Sequence, residues 1–279
     1  MKKGIAVILA LVLVLSCACL AEETFTFKHG YDYDYRPYSY IDDNGETAGF
    51  DIDVCKAVCE YLGWNYEGVP FSWDAKDAEL NSGSCDCIWS GFTLNGREDD
   101  YVWSIPYSDN TQVVLTLANS GIATLADLAG KLVGVQTATS AMDLLKGDQA
   151  DLAATFQDLL VYETYTLAIT DLLAGAIDAV AIDVTTCNFN VANSDNPDQF
   201  LVLEEVLGTE QYAIGFRMGD EELRDQVNAA LIALAKDGTL EKIAASKEEY
   251  ADVLQYLSLT AENASEVEAS LAAKAEAAE

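Results

Sequence analysis

A short stretch of the chain, residues 88–97, concentrates polar groups that suit the binding of a small charged molecule. Gly91 has no side chain, so a ligand can approach the backbone N–H and C=O groups beside it. Arg97 offers a planar set of donors that fits a carboxylate in bidentate fashion. The alternative is a strand end, a turn at Asn95-Gly96 and a surface arginine. Together the set suits a small zwitterion, and its polar members are Ser90, Gly91, Thr93 and Arg97.

The composition describes a large and strongly acidic globular chain. Its 279 residues are 51% hydrophobic, enough for one large or two medium domains with a packed core. Lys and Arg number 15 against 47 Asp and Glu, and the resulting net charge of −32 repels nucleic acid and anionic membrane surfaces. The single histidine, His29, argues against Ser-His-Asp or Cys-His catalysis and against histidine-rich metal sites. We therefore expect no metal and no cofactor.

The N-terminus has the features of an export signal. Met1-Lys2-Lys3 is basic, and residues 5–15 are apolar and uncharged but too short to span a bilayer. The segment that follows resembles a lipoprotein processing box with Cys17 as the lipidated residue, which would anchor the protein to a membrane through lipid. The alternatives are lipidation of Cys19, or cleavage after Ala21 without lipid.

Hydrophobic patterns and turn residues divide the rest of the chain into strands and helices. The first helix is expected to be capped by Asp51 or Asp53 and to end at Gly63. A tyrosine-rich segment, residues 31–40, predicts a loop whose rings line a pocket. Residues 260–279, rich in Ala and Glu, predict a solvated helix or a frayed tail without a function. The predicted strands are 25–32, 64–69, 113–117 and 179–182, and a further strand begins at Val133. The other predicted helices are 75–81, 164–173 and 221–235, and a further helix begins at Thr139.

Two further polar groups occur in the second half of the chain. Thr139 and Ser140 begin a helix and offer hydroxyls and backbone donors at its positive end, a role compatible with plain N-capping. Asp183 stands at the carboxyl end of an apolar strand, where open α/β sheets bind ligands. The alternative for Asp183 is capping of the next turn.

These stretches in this order resemble the bacterial extracellular amino-acid-binding proteins of ABC importers, solute-binding protein family 3. The resemblance covers about residues 25–245. The sequence departs from the family pattern at Asn95-Gly96, at Asp99-Asp100 and at Ala138, where glycine is usual. Ala138 is expected to reshape its loop. The matching motifs are Tyr35-Arg36-Pro37-Tyr38, Gly49-Phe50-Asp51-Ile52-Asp53, Ser90-Gly91-Phe92-Thr93 with Arg97, residues 133–140, residues 177–183, residues 212–217 and residues 237–243.

The resemblance implies an α/β fold of two lobes, the type II periplasmic-binding-protein-like fold. Each lobe is expected to be a doubly wound sheet, with the ligand in the cleft between the lobes. The implied boundaries are a signal segment at 1–21, a first lobe at 24–112 and 210–257, a second lobe at 113–209, and an acidic tail at 258–279.

The resemblance also implies roles for individual residues. The α-carboxylate of an L-amino acid is expected at Arg97, Thr93, Thr139 and Ser140, and its α-ammonium at Asp183, Ser90 and the Gly91 carbonyl. Tyr35 and Trp73 are expected to sandwich the ligand side chain, with Asp32 near its polar end. The implied protein is a monomer that delivers its ligand to an ABC transporter permease outside the cytoplasmic membrane.

Two other classes of function remain as alternatives. An enzyme on the same fold, similar to cyclohexadienyl or arogenate dehydratases, would need an acid or base in the cleft. A ligand sensor would need an additional signalling segment. The sequence does not distinguish among amino acids, since Asp32 suits a basic or an amide side chain.

Five cysteines lie outside the signal segment. We expect buried free thiols, because the CxxxC and CxC spacings are poor zinc signals. The alternatives are a metal site or a bridge between Cys59 and Cys85 in an exported protein. The five are Cys55, Cys59, Cys85, Cys87 and Cys187.

Overall fold

A computed structural model describes residues 24–278 as a mixture of short strands and helices. The strands are β1 Thr26–Asp32, β2 Asp34–Tyr35, β3 Ser39–Ile41, β4 Thr47–Ala48, β5 Asn65–Phe71, β6 Cys87–Ile88, β7 Val102–Trp103, β8 Ser108–Leu117, β9 Leu132–Gln136, β10 Asp158–Tyr162, β11 Ala179–Asp183, β12 Phe200–Val202, β13 Gly208–Tyr212 and β14 Gly215–Phe216. The α-helices are α1 Phe50–Leu62, α2 Lys76–Ser82, α3 Ser140–Lys146, α4 Ala150–Ala153, α5 Tyr165–Leu173, α6 Val184–Ala192, α7 Glu221–Lys236, α8 Thr239–Ala244, α9 Ala251–Tyr256 and α10 Ala264–Ala278.

The first large sheet has the strand order β5-β1-β6-β14-β7. β1 is parallel to both β5 and β6, while β14 is antiparallel to β6 and β7. Helices α1 and α2 pack against this sheet. Because β1 and β6 are parallel, their carboxyl ends meet at one edge, which brings Asp32 close to the Ser90-Gly91 turn.

The second large sheet has the order β10-β9-β11-β8-β12, with β13 paired to the first half of β8. β9 is parallel to β10 and β11, so Gln136 and Asp183 lie at the same edge. Helices α3, α5 and α6 pack against these strands. The two sheets with their helices confirm the two-lobed α/β fold expected from the sequence.

A ribbon of two antiparallel strands runs between the sheets. Ser108 to Gln112 of β8 pair with Gly208 to Tyr212 of β13, while the rest of β8 pairs with β11 and β12. β8 therefore leaves the first sheet beside β13, which returns the chain to it.

The start of α1 differs from the expectation. Gly49, at φ 128°, is the N-cap, so the prediction of Asp51 or Asp53 as the cap was wrong. A Cβ on Gly49 would lie 2.2 Å from the Tyr38 carbonyl oxygen, so only glycine fits there. The left-handed Gly63 ends the helix as predicted.

The tyrosine-rich segment mostly fills the core. Tyr31 and Tyr38 are fully buried, and the hydroxyl of Tyr40 donates to Glu249. Only Tyr35 lines the candidate pocket, so the prediction of a tyrosine-lined loop was wrong for the other rings. Tyr31 lies on β1 of the first large sheet, Tyr38 lies in the turn between β2 and β3, and Tyr40 lies on β3.

The five cysteines are buried free thiols, as the sequence predicted. Cys59 lies with Cys55 and Cys87 in the largest apolar cluster, whereas Cys85 lies in a separate cluster with Phe71. The alternative of a Cys59–Cys85 bridge was therefore wrong. Residues 24–278 contain no group of three or more His, Cys, Asp or Glu arranged to hold a metal ion.

The C-terminal helix is docked rather than frayed. Val267 and Leu271 of α10 pack against the main core, and Lys236 of α7 pairs with Glu268 at 2.5 Å. The fully buried Ala264 begins the helix. Among the described residues, none of the helices combines the length and apolar character needed to cross a membrane.

Candidate functional site

A cavity with an empty volume of about 280 Å³ lies between the two large sheets. This volume includes space open to solvent, so it is an upper bound on the room for a ligand. All ten residues that the sequence analysis singled out for binding line it, together with Gln136, which that analysis missed. The rule that identified Asp183, a polar residue ending a buried strand, applies equally to Gln136. The lining residues are Asp32, Tyr35, Trp73, Ser90, Gly91, Thr93, Arg97, Gln136, Thr139, Ser140 and Asp183.

The Ser90-Gly91 turn is held from behind by a buried acid. The Gly91 N–H donates to Asp51 Oδ2 at 2.7 Å, and the Tyr107 hydroxyl donates to the same oxygen at 2.8 Å. Burial raises the pKa of Asp51 to about 7, against the lowering effect of these hydrogen bonds. Gly91 adopts φ 53°, and a Cβ there would lie 2.5 Å from the Tyr35 ring. Asp51 thus positions the turn instead of capping α1.

Arg97 is joined to the opposite side of the cavity. Its side chain is 12% exposed and donates to Asp143 Oδ2 of α3 at 2.6 Å. The guanidinium also donates to the Thr93 carbonyl at 3.2 Å and lies over the Phe92 ring. Asp143 was not predictable as a partner of Arg97 from the sequence, because an acid in the first turn of a helix is ordinary.

The start of α3 combines capping with a place in the cavity wall. Thr139 is the N-cap and accepts from the Met142 N–H at 3.3 Å, while its hydroxyl donates to the Gln136 carbonyl at 2.8 Å. Ser140 Oγ accepts from Gln112 Nε2 at 3.0 Å. Thr139 therefore caps α3 while it lines the cavity, and its binding role stays a prediction.

Ala138 lies at φ 55°, a left-handed conformation that costs a non-glycine residue about 1–2 kcal/mol. Its carbonyl accepts from Trp73 Nε1 at 3.0 Å and from Lys76 Nζ at 3.4 Å. Burial lowers the pKa of Lys76. Alanine thus keeps the glycine-like backbone at this position, and the contacts from the first lobe hold it there.

Asp183 ends β11 and is 4% exposed. Its Oδ1 accepts from Asn110 Nδ2 at 2.8 Å, from Gln112 Nε2 at 2.5 Å and from the Tyr212 hydroxyl at 2.7 Å. Its Oδ2 accepts from the Tyr165 hydroxyl at 3.0 Å. The backbone of Asp183 is the N-cap of α6, but its side chain makes no capping hydrogen bond. The alternative that Asp183 caps the next turn is therefore confirmed for its backbone, while Oδ2 of its side chain keeps accepting capacity.

Asp32 closes another part of the cavity wall. It is 2% exposed and accepts from Gln136 Nε2 at 2.8 Å and from the Asp34 N–H at 2.9 Å. Burial is the main cause that raises the pKa of Asp32 to about 7, with smaller contributions from the charges of Asp34 and Glu163. This part of the cavity is therefore acidic.

Tyr35 and Trp73 present aromatic surface to the cavity. The Tyr35 ring stacks on the Tyr38 ring, with the ring centroids 5.6 Å apart. The hydroxyls of Tyr35 and Tyr212 form a hydrogen bond of 2.7 Å. Trp73 meets Phe92 edge to face at 5.3 Å. The sandwich of a ligand side chain between Tyr35 and Trp73 stays a prediction.

The family description "Bacterial extracellular solute-binding proteins, family 3" matches residues 27–246, which is most of the chain. The chain belongs to this family. The resemblance carried by the sequence motifs is thereby confirmed.

Amino-acid-binding proteins recur among the similar proteins. L-cystine-binding protein TcyJ of Escherichia coli is 29% identical over 210 residues, covering 74% of this chain and 76% of that protein. An ABC uptake transporter substrate binding protein from Streptococcus pneumoniae with bound histidine superposes with a TM-score of 0.76 at 31% identity, covering 79% of this chain and 91% of that one.

One similar structure is that of a protein ancestral to an enzyme. The ancestral amino acid-binding protein AncCDT-1, a precursor of cyclohexadienyl dehydratase, superposes with a TM-score of 0.71 at 29% identity. It covers 79% of this chain and 94% of its own. The same fold thus occurs in an amino-acid-binding protein from which an enzyme descends.

Proposed function

We propose that this family 3 protein captures an L-amino acid outside the cytoplasm and delivers it to the permease of an ABC importer. Its curated relatives are amino-acid-binding proteins, including components of ABC transporters. The observation that carries the proposal is that Arg97 and Asp183, of opposite charge, line one small cavity. A buried zwitterion needs a partner for each of its charges, and this pair supplies one of each sign.

The carboxylate end of the ligand is assigned to Arg97. Its NH2 is engaged by Asp143, so a carboxylate would share the guanidinium with that acid. Thr93, Thr139 and Ser140 line the same cavity, and Thr93 would add a hydroxyl donor, whereas the Thr139 hydroxyl already donates to the Gln136 carbonyl.

The ammonium end is assigned to Asp183 with Ser90 and the Gly91 carbonyl. Asp183 Oδ2 has a single donor, Tyr165, and so retains capacity for an ammonium. Tyr35 and Trp73 would enclose the ligand side chain, and the acidic surroundings of Asp32 would favour a polar or cationic end.

Closure of two lobes would complete the site. Residues 24–112 and 210–257 would form one lobe and residues 113–209 the other, with the β8–β13 ribbon as the hinge. Hydrogen bonds from Gln136 to Asp32 and from Arg97 to Asp143 join the two sides across the cavity. We propose that the protein works as a monomer in this closing motion.

The lipid anchor at Cys17 lies outside the described residues and is proposed from the sequence alone. It would hold the protein on the outer face of the cytoplasmic membrane. Metabolic labelling with a palmitate analogue is expected to mark the wild type and to be lost in Cys17→Ser. Label that survives in Cys17→Ser but is lost in Cys19→Ser would place the lipid two residues later.

A dehydratase is the second candidate, favoured by one observation. The raised pKa of Asp32, at the wall of the cavity, suits a group that donates or accepts a proton near neutral pH. An enzyme would convert its ligand, whereas a binding protein would return it unchanged.

A thermal-shift panel of the twenty common L-amino acids and L-cystine tests the proposed function. A ligand at 100 times its Kd is expected to add about 2.7 kcal/mol to the free energy of unfolding. The best ligand is then incubated with the protein and analysed by chromatography, and stoichiometric retention without conversion is the expected result. No shift with any member of the panel would contradict the binding role, and turnover would favour the enzyme.

A further inference from the structure

A second buried acid, Glu210, lies directly behind Asp183. Glu210 is on β13, is 6% exposed, and does not line the cavity. Its Oε1 accepts from Asn110 Nδ2 at 2.7 Å and from Gln112 Nε2 at 2.8 Å. The same two nitrogens donate to Asp183 Oδ1. The two carboxyl groups are therefore neighbours that share their amide donors.

The groups that surround this acid pair are all neutral donors. Besides the two amides, Asp183 receives the hydroxyls of Tyr165 from α5 and Tyr212 from β13. Burial raises the pKa of both tyrosines well above the usual value, so neither carries charge. Within residues 24–278, no Lys, Arg or His forms a salt bridge with either carboxyl.

Two like charges buried side by side without a cation are unfavourable, and a single proton shared by the pair removes that cost. We propose that Asp183 and Glu210 act as one acid pair, which holds a proton in the ligand-free protein and releases it when the ligand ammonium binds. The proposal rests on the proposed function, since the ammonium belongs to the amino acid assigned there.

Charge and burial support the choice of Glu210 as the group that changes its protonation. Burial, and secondly the charge of Asp183, raise the pKa of Glu210 to about 7, while hydrogen bonds from Ser140, Asn110 and Gln112 oppose the rise. A ligand ammonium beside Asp183 offsets the negative charge of Asp183, which contributes to the raised pKa of Glu210. The pKa of Glu210 then falls, its O–H bond ionises, and the proton passes to the buffer.

The sign of the pH dependence follows from this release. When binding expels a proton, affinity increases with pH over the range in which that proton is still bound. Affinity for the amino acid is therefore expected to rise as the pH rises through 7 and to level off above it. Glu210 is a positioning residue. Its charge makes the site require a cationic ligand, although Glu210 does not contact that ligand.

Isothermal titration calorimetry measures the number of protons released per bound ligand. The amino acid with the largest thermal shift is titrated into the full chain at pH 7, in two buffers of different ionisation enthalpy. A group with a pKa near 7 predicts release of about half a proton per ligand at pH 7 and about a tenth at pH 8, where the α-ammonium of the free ligand is still largely protonated. Glu210→Gln, which keeps the shape and the accepting oxygen, is expected to bind without this release.

Asp53→Asn is the control, since Asp53 is a partly buried acid that pairs with Lys247 and does not line the cavity. This variant is expected to bind the ligand with the same proton release as the wild type. Release that survives unchanged in Glu210→Gln would overturn the proposal, because the proton would then come from another group. So would a wild-type affinity that stays flat between pH 6 and 8, a result that needs no variant. Binding without proton release refutes only this inference, whereas absence of binding refutes the proposed function.

Discussion

Arg97→Ala is expected to abolish amino-acid binding and to leave the chain folded. Arg97 is the cavity residue assigned to the ligand carboxylate, and removal of one partner of a buried charge pair costs about 3–5 kcal/mol. Since each 1.4 kcal/mol is a factor of ten, affinity should fall by more than about a hundredfold. Calorimetry measures the affinity, and circular dichroism checks the fold.

Arg224→Ala is the control for this substitution. Arg224 is also partly buried and also pairs with an aspartate, Asp225, but it does not line the cavity. Its removal is expected to leave the affinity unchanged. If Arg97→Ala retained affinity within a few-fold of the wild type, the carboxylate would have to bind elsewhere.

The α-keto acid that matches the preferred amino acid is expected to bind at least about a hundredfold more weakly. It keeps the carboxylate but replaces the ammonium with a carbonyl oxygen, so Asp183 would face an acceptor. An uncompensated polar contact of this kind in a closed site costs several kcal/mol. Calorimetry with both ligands measures the ratio of the two affinities.

Asp183→Asn is expected to narrow this gap. The amide oxygen can take the position of Oδ1, where three donors converge, and the amide nitrogen then takes the position of Oδ2. There it can donate to the carbonyl of the keto acid. Equal affinity of the wild type for both ligands would mean that Asp183 holds the hinge ribbon but does not recognise an ammonium.

Much of the secondary structure was predictable because its signals are local. The first strand, the ends of α1 and α2 at Gly63 and Gly83, and the start of α3 at Thr139 all follow from residues within a few positions of each other. The cavity residues were predictable for a related reason. They belong to short motifs at the carboxyl ends of parallel strands. Ligands bind at this edge of an open α/β sheet whatever the order of its strands.

The partners of those residues were not predictable. Asp51 has the local pattern of a first-turn acid, yet it accepts from Gly91, 40 residues away. Asp143 pairs with Arg97 across 46 residues, and Gln136 with Asp32 across 104. No periodicity links such positions, so only the tertiary fold determines these contacts, within the first lobe for Asp51 and between the lobes for Arg97 and Gln136.

The sequence by itself therefore determined the family, the two-lobed α/β fold and ten of the eleven residues that line the cavity. The tertiary structure alone decided that most rings of residues 31–40 fill the core, and that α10 docks on α7. It alone also set Glu210 behind Asp183, because β8 and β13 pair only when the chain returns after 100 residues. Burial in that ribbon, where water and basic groups are excluded, gives an ordinary strand glutamate its unusual proton affinity.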